Sequence, residues 1–531
     1  MVDSPVLSRP HGPPSGKGSH QDTADLVRGA IASLLGKLAL SSRALATVLM
    51  TNLFGPVVFG LYTNSWNAIW VVYKVARFGL HQSATRVVVE QRAARHPEGC
   101  EQAIGASLLL GLLISTAVSA ALTAGAPLLA ALLEQPDLAS PVRIMAWSLP
   151  FMVLSGVLIA VTRALRIMRY SVYVNSVAAP MILLMGTALS GLCGWGMPGL
   201  AGMHVAMGLG MLLLSVVFTA HHFRLRACLR RGARHPFGLG LTRFSFPVML
   251  SDLISALVVT VDQFILLRFV PLGEAGLYAA ARQVSIFMRK PPQAFDTILG
   301  PIVADLAYQR RTRHLGEELA FVLRWTFAVN LAYLGLIYLG GDRIMLAFGA
   351  EFTTGATAAW VLCLGMLGYG VSMPLEVAQI MGGHPYVSLL NNTVWLVSMV
   401  GLDLWWIPRH GVVGAAWAAT TSLLLVSVLR LVQIGRMMRV NPLAWSQLKP
   451  FGAAAVAVLV GRLAGHFLPL SDLWSLVPEL VLSLAAYLLA LWALGLDERD
   501  RMLVDRLRRQ VRKLRGARLP ESGESEPPGG P

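Results

Sequence analysis

Long apolar runs follow one another along almost the whole chain, separated by short polar turns. Each run contains about 20 apolar residues, and a helix that rises 1.5 Å per residue can then cross a hydrocarbon core about 30 Å thick. None of the connections between the runs is long enough to form an aqueous domain. The pattern therefore predicts an all-α integral membrane protein with about 14 transmembrane helices. The predicted spans are residues 26–50, 60–82, 102–132, 142–164, 172–195, 198–221, 245–269, 277–303, 319–341, 356–380, 385–407, 412–436, 450–470 and 473–495.

The two ends of the chain differ from these apolar runs. Residues 1–23 are rich in Pro, Gly, Ser and His, and residues 519–531 are acidic and rich in Pro and Gly, so both are predicted to be disordered tails. Residues 497–518 predict a basic amphipathic helix, because Leu503 and Leu507 begin an apolar stripe at helical spacing among Arg and Lys residues. Such a helix is typical of a segment that lies on an anionic inner leaflet, and a solvated charged helix is the alternative.

Charge alternates from turn to turn. The turns after the second, fourth, sixth, eighth and twelfth spans are rich in Arg, above all the linker 223–243, whereas the other turns contain mainly Asp and Glu beside Arg268, Arg343 and Arg409. The positive-inside rule therefore places the basic turns and both termini in the cytoplasm. The formal net charge of +16 does not indicate a nucleic-acid partner, because the cations follow the ends of apolar spans and form no aromatic-interleaved stripe.

Short motifs recur along the chain at an offset of about 215 residues, each at the equivalent place in a six-span unit. Because six is an even number, two such units have the same orientation in the membrane, which makes them a parallel repeat. We therefore predict an N-lobe of six helices (24–222), a C-lobe of six helices (244–440) and two extra C-terminal helices (448–496). The recurring motifs are Gly60-Leu61-Tyr62 with Gly276-Leu277-Tyr278, Ile167-Met168 with Ile380-Met381, and Gly196-x-x-Gly199 with Gly411-x-x-Gly414.

Basic residues occur well inside several of the apolar runs. A Lys or Arg at the centre of a membrane helix costs about 2.5–3.5 kcal/mol on insertion scales, so their presence indicates a function in a polar cavity. Lys74 and Arg77 are three residues apart on one helix face, and snorkelling to the membrane surface is the alternative for Arg77. Arg282 and Arg289 are seven apart on one stripe, and Pro291-Pro292 should kink the helix beside them. The candidate cations are Lys37, Arg43, Lys74, Arg77, Arg282, Arg289 and Lys290.

Acidic residues within the spans are candidates for charge pairing or for coupling transport to protons or sodium. Asp262 is expected to be a structural partner of Arg282 or Arg268. The four cysteines have no metal-like spacing, so no metal site, disulfide framework or other cofactor is predicted. The acidic candidates are Asp252, Asp262, Asp296, Glu376 and Asp403.

Two stretches resemble a known family. Leu53-Phe54-Gly55-Pro56, Gly60-Leu61-Tyr62, Phe78-Gly79-Leu80 and Arg86 resemble the opening of the oligosaccharide flippases of O-antigen type. Asp262, followed by Pro271-x-Gly273-x-x-Gly276-Leu277-Tyr278, resembles the start of their second half. These polysaccharide biosynthesis proteins share a superfamily with the lipid II flippases and the two-lobe multidrug exporters. The resemblance covers roughly residues 26–440.

The resemblance implies the export of polyprenyl-diphosphate-linked oligosaccharide units, as in lipopolysaccharide synthesis, across a bacterial inner membrane. The two lobes would alternate access to a cationic central cavity. In lipid II flippases, cations on the first, second and eighth spans are held to grip the diphosphate, and the candidate cations here are similar in placement. Lys37 and Lys74 depart from such a grip, because an ammonium lacks the bidentate fork of Arg. The implied partners are the membrane and the lipid-linked oligosaccharide, with a glycan polymerase or glycosyltransferase as a candidate for a further one.

Two other interpretations stay open beside this non-enzymatic one. A multidrug antiporter has the same two-lobe plan but moves cations, so acids should dominate its cavity. A membrane-embedded polysaccharide polymerase or glycosyltransferase would need a large outer loop or a cluster of carboxylates with a metal, whereas the outer turns here are short. Among the aromatic residues, Trp66, Trp70, Trp405 and Trp406 are interpreted as membrane-interface anchors, with contact to sugars as the alternative.

Overall fold

The computed structural model describes residues 19–165, 167–234, 239–309, 311–467 and 476–494. Within these ranges, the side chains of residues 19–42, 234–244, 296–298, 301, 467 and 476 are not described. The described part of the chain contains helices and turns and no strand. The predicted amphipathic helix 497–518 and the tail 519–531 lie outside the described residues, as does most of the predicted tail 1–23.

Seventeen α-helices follow one another along the described chain. The first nine are α1 (Ser19–Arg77), α2 (Leu80–Ala93), α3 (Pro97–Leu132), α4 (Ala139–Ala146), α5 (Ser148–Ala164), α6 (Arg169–Ser171), α7 (Ala179–Leu192), α8 (Gly196–Ala220) and α9 (Leu225–Arg234). The others are α10 (Leu239–Phe269), α11 (Leu272–Ser285), α12 (Lys290–Tyr308), α13 (Thr312–Leu346), α14 (Ala356–Met381), α15 (Pro385–Met437), α16 (Lys449–Phe467) and α17 (Leu476–Ala493). Short 3-10 helices cover Pro136–Leu138, Ile286–Arg289, Ala350–Gly355 and Trp445–Leu448, and a π-helix covers Val172–Ala178.

Nine helices of the described residues are long and apolar enough to cross a membrane, or ten if the bent pair α4 and α5 is one span. Two helices are too long for one crossing, since the 59 residues of α1 would extend about 90 Å at 1.5 Å per residue. Non-helical breaks divide both, at Gly55 in α1 (φ 71°, ψ −179°) and at Gly411 in α15 (φ 52°, ψ −130°). Each break lies between two predicted spans. The all-α membrane fold is thus confirmed, and the helices are compatible with fourteen crossings.

Changes of helix type interrupt two further spans. The π-helix Val172–Ala178 precedes α7, whose first turn contains Pro180. The 3-10 helix Ile286–Arg289 separates α11 from α12, and Pro291-Pro292 lie in the first turn of α12, where a missing N–H costs no helical hydrogen bond. The helix thus changes type beside these prolines, where the sequence predicts a kink. The shared stripe of Arg282 and Arg289 stays a prediction, because the 3-10 helix between them changes the angular spacing that an uninterrupted α-helix would give.

One compact unit, unit 1, consists of residues 1–284, 344–362 and 389–426. Its apolar core includes Leu80, Ile104, Val157 and Cys228, contributed by α2, α3, α5 and α9. Helix α9 is rich in Arg and lies outside the membrane spans, and its Cys228 side chain is fully buried. Burial raises the pKa of the Cys228 thiol to about 11, so the thiol is protonated at neutral pH.

Within unit 1, α1 crosses α11 at the glycines of the recurring Gly-Leu-Tyr motif. A Cβ atom on Gly60 would lie 2.3 Å from the carbonyl oxygen of Leu272, and one on Gly276 would lie 2.1 Å from that of Pro56. Both distances are far below van der Waals contact, so only glycine allows the two helices to approach this closely.

The other compact unit, unit 2, consists of residues 285–343, 363–388 and 427–531. One core of its described part includes Val303, Leu319 and Leu375, and a second lies around Tyr487. Two buried or half-buried ion pairs connect its helices: Arg430 with Glu376 at 3.0 Å and Arg343 with Glu479 at 2.9 Å. The boundaries of the two lobes, the linker and the C-terminal pair of helices stay predictions.

Candidate functional site

Aromatic and basic side chains form a continuous row on the second half of α1. Trp66, Trp70, Tyr73 and Arg77 are spaced by four, three and four residues, which places them on one helix face. The ring centroids of Trp66 and Trp70 lie 5.7 Å apart, and Trp70 stacks on Tyr73 at 5.6 Å. The Lys74 Nζ atom lies 4.5 Å from the Trp70 centroid, and the Arg77 guanidinium carbon lies 5.1 Å from the Tyr73 centroid. Both cations are therefore held against aromatic faces.

A carboxylate from α10 meets the basic end of this row. Arg77 Nη2 donates a hydrogen bond to Asp252 Oδ2 at 2.5 Å, and His81 Nε2 lies 3.9 Å from the same oxygen. Arg77 Nε and His81 Nδ1 are buried, and neither hydrogen-bonds to a described residue. The cluster thus retains unused hydrogen-bonding capacity that a bound ligand could take up.

The charges of this cluster do not balance. Lys74, Arg77 and Arg163 interact electrostatically with one another or with His81, and Asp252 is the one carboxylate among these interacting groups. Lys74 and Arg163 form no ion pair with a described residue. An excess of fixed positive charge in a partly desolvated position favours the binding of an anion.

In a second cluster of unit 1, the charges of the acidic and basic side chains balance each other. Asp262 Oδ2 accepts a hydrogen bond from the Tyr278 hydroxyl at 2.7 Å, and Asp262 Oδ1 accepts one from Arg282 Nη1 at 3.0 Å. Arg282 Nη2 also donates to the carbonyl oxygen of Val259. Of the two partners predicted for Asp262, Arg282 is thus the one that pairs with it, whereas Arg268 pairs with Glu134.

Asp403 of α15 lies beside this second cluster. Its side chain is fully buried, and neither carboxylate oxygen accepts a hydrogen bond from a described residue. Asp403 interacts electrostatically with Asp262 and Tyr278. An uncompensated charge is costly in such surroundings, so Asp403 requires a proton or a cation.

The candidates in unit 2 separate into two groups. The Arg289 guanidinium carbon lies 4.6 Å from the centroid of Tyr369, its Nε atom is buried without a described hydrogen-bond partner, and the adjacent Lys290 is exposed. Glu376 by contrast binds Arg430 and accepts a hydrogen bond from Ser388 at 3.1 Å. Glu376 therefore acts as a structural counter-ion within its unit.

Three further candidates are less defined. Arg43 lies on α1 with an exposed side chain that makes no ion pair with a described residue. The side chains of Lys37, on α1, and Asp296, on α12, lie outside the described residues. Among the described residues, no group of three His, Cys, Asp or Glu side chains is placed to hold a metal ion.

Some members of these clusters were absent from the sequence-based candidates. The four-, three- and four-residue spacing from Trp66 to Arg77 is visible in the sequence and predicts their shared face. No local signal reveals His81, Arg163 or Arg430, because their neighbours come from distant parts of the chain. The partly buried rings of Trp66 and Trp70 are tilted against each other within the row, and their interpretation as interface anchors stays a prediction.

Solved structures define the class of protein that shares this fold. The lipid II flippase MurJ in its inward closed conformation matches with a TM-score of 0.68 at 15% identity, over 87% of this chain and 98% of that one. An inward-facing multidrug resistance MATE family transporter of the MOP superfamily matches with a TM-score of 0.66 at 14% identity, over 75% and 94%. A MOP superfamily transporter from Pyrococcus furiosus, described as having a binding pocket of reverse polarity, matches at 0.57 and 16%, over 78% and 95%. The fold is that of these transporters.

A comparison with protein families adds a match for the N-terminal part of the chain. Residues 26–289, almost half of the chain, match the family described as polysaccharide biosynthesis protein. No curated protein matches the chain. The predicted resemblance to polysaccharide biosynthesis proteins is thereby confirmed for these residues, and the chain has the fold of a flippase or transporter.

Proposed function

We propose that the chain is a flippase that moves polyprenyl-diphosphate-linked oligosaccharides across the inner membrane by alternating access of its two lobes. The observation that carries this proposal is the excess of positive charge around Lys74, Arg77 and Arg163, opposed by Asp252 alone among the interacting groups. A cavity built to move organic cations would need the opposite balance of charge.

The chemistry of such a substrate matches the row on α1. A diphosphate that leaves water loses strong hydrogen bonds, and charge-assisted bonds from Lys74 and Arg77 would replace them. Next to these cations, the partly buried rings of Trp66 and Trp70 offer flat apolar faces on which sugar rings can stack. Phosphate and sugar would then be held side by side along one helix.

The other candidate cations extend this proposal. Arg289, held over Tyr369, the exposed Lys290, and Arg43 and Lys37 of α1 stay predicted contributors to diphosphate binding. Asp403 is our candidate for the residue that binds a coupling proton or sodium ion, because its carboxylate has no described hydrogen-bond partner.

Substitutions test whether Arg77 and Lys74 bind the substrate or only stabilise the fold. Arg77→Ala and Lys74→Ala should each lower export of the lipid-linked glycan by about tenfold or more, the loss expected for one charge-assisted hydrogen bond. The measurement is transfer of the lipid-linked oligosaccharide in proteoliposomes, with accumulation on the inner leaflet of cells as a second readout. Arg92→Ala removes an exposed cation from α2 and is the matched control, for which full activity is expected.

A double variant decides whether Arg77 matters only as the partner of Asp252. If the pair is purely structural, Arg77→Ala/Asp252→Ala removes both charges and should restore export. If Arg77 binds substrate, the double variant should reach normal membrane levels and remain inactive. Restored export would contradict the proposal, as would export of organic cations in place of the glycan lipid. Transport whose rate does not depend on a proton or sodium gradient would contradict the coupling role of Asp403.

A further inference from the structure

An open groove lies on unit 1 among α3, α4 and α8, away from the row on α1. Its volume is about 520 Å³, and its lining comes from one end of each of these helices. The residues that line it are Thr123, Arg143, Ile144, Trp147, Gly202 and Val205. The Thr123 hydroxyl donates to the carbonyl oxygen of Ser119, so the polar group left to interact with an occupant is chiefly the Arg143 guanidinium.

Arg143 differs from the basic residues of the other turns that are predicted to lie outside. Arg268 pairs with Glu134, Arg343 pairs with Glu479, and Arg409 donates to the carbonyl oxygen of Trp405. Arg143 is exposed and makes no hydrogen bond or ion pair with any described residue. Like these three residues, Arg143 departs from the positive-inside pattern of the chain, but its guanidinium is open to an external partner.

The groove has the composition of a site at the boundary between headgroups and acyl chains. Trp147 lies four residues after Arg143, on the same face, and an indole beside a guanidinium is typical of that boundary. Ile144 and Val205 supply apolar walls. A Cβ atom on Gly202 would meet nothing within 4 Å, so the face of α8 is open at this point of the groove.

We propose that this groove binds one anionic glycerophospholipid, with its phosphate on Arg143 and an acyl chain along Gly202, Ile144 and Val205. Charge complementarity selects the occupant, because a guanidinium binds a phosphate in bidentate fashion and the walls around it are apolar. The site is separate from the proposed substrate site, and its occupancy does not depend on what the protein transports.

The experiment counts lipids bound to the purified full-length protein by native mass spectrometry during titration with phosphatidylglycerol. Arg143→Gln removes the charge, and Gly202→Leu adds an apolar side chain over the open face of α8 without removing charge. Each should weaken binding of the first lipid by about tenfold, the loss expected for one charge-assisted contact or an occluded chain. Arg268→Gln is the matched control, since it removes an exposed cation of a predicted outer turn that does not line the groove, and it should bind normally.

Several outcomes would overturn the proposal. Unchanged binding in both groove variants would show that the lipid sits elsewhere, and an equal loss in Arg268→Gln would show that only net charge matters. Equal affinity for phosphatidylcholine would show that the headgroup is not recognised. Tighter binding of a polyprenyl phosphate would reassign the groove to the lipid-linked substrate. Thermal unfolding of Gly202→Leu should match that of the unmodified protein, because the added side chain meets open space.

Discussion

At the scale of single residues, the intramembrane charges are of two kinds. Asp262 with Arg282, and Glu376 with Arg430, are paired and hydrogen-bonded within their own units. Lys74 and Arg289 are instead held over aromatic rings and form no ion pair with a described residue. The first kind stabilises the fold, and the second kind keeps the capacity to bind an anion.

Removing one member of a buried pair tests the first kind. Asp262→Asn leaves the Arg282 cation without its counter-ion and should lower the free energy of unfolding by about 3–5 kcal/mol. Tyr278→Phe removes one hydrogen bond to a carboxylate and should cost about 1.5–3 kcal/mol. Denaturant unfolding of the detergent-solubilised protein measures both. The double variant Asp262→Asn/Arg282→Gln should recover part of the loss, and a loss as large as that of Asp262→Asn alone would contradict the pairing.

How much of the candidate site is visible in the sequence depends on separation along the chain. Lys74, Arg77 and Arg289 are conspicuous because a cation inside an apolar run is rare. The sequence limits the predicted partners of Asp262 to two arginines, Arg282 on the next span and Arg268 six residues further along the same span. Which carboxylate meets Arg77 depends on how α1 and α10 cross, and no local pattern encodes a crossing between residues 175 positions apart.

At the scale of helices, the recurring Gly-Leu-Tyr motif marks a contact. Its two glycines, Gly60 and Gly276, are the positions at which α1 and α11 approach each other within unit 1. The sequence shows the recurrence but not that its two copies touch. The absence of side chains at both positions lets backbone atoms meet where a methyl group would already collide.

Alanine substitution tests this crossing. Gly60→Ala places a Cβ atom 2.3 Å from the carbonyl oxygen of Leu272, so the helices must separate. We expect a loss of about 1–3 kcal/mol in stability, the usual cost of overpacking, measured as a lower melting temperature. Gly125→Ala, whose Cβ atom would meet nothing within 4 Å, is the matched control and should be neutral or slightly stabilising. Equal melting temperatures of the two variants would contradict the close approach.

The interruptions of the helices were partly predictable. Pro291-Pro292 predict the interruption before α12, because a proline has no N–H to bond to a carbonyl of the preceding turn. The π-helix Val172–Ala178 has no such signal, since its residues are compatible with an ordinary helix. The 3-10 helix Ile286–Arg289 directly precedes these prolines, but its length has no signal in the sequence.

At the scale of the whole molecule, the fold was the most predictable property. The succession of apolar runs determines an all-helical membrane protein, because every backbone polar group within lipid must be satisfied inside its own segment. The boundaries Gly55 and Gly411 lie between predicted spans although the helix continues on either side. The substrate is less visible, since transporters of different cargo share this fold at about 15% identity.

The predicted orientation can be tested with a native cysteine. Of the four cysteines, Cys193 is exposed, and it lies two residues before the predicted outer end of the fifth span. A membrane-impermeant maleimide added from outside should label it, and Cys193→Ser should abolish the label. Cys228 should stay unlabelled, because it is buried and its raised pKa, about 11, leaves almost no thiolate at neutral pH. Labelling that requires inside-out vesicles would reverse the assigned orientation.

The break at Gly55 has a stereochemical consequence. A Cβ atom there would meet only a Glu351 carboxylate oxygen, at 3.7 Å, which is an ordinary contact, so there is room for a methyl group. The obstacle is the backbone at φ 71° and ψ −179°, whose mirror image is a comfortable extended conformation for an L-residue. The backbone conformation alone therefore disfavours L-alanine at this position and is one that a D-residue adopts readily. The junction between the first two predicted spans thus favours glycine, because glycine has no chiral Cα and adopts a positive φ without strain.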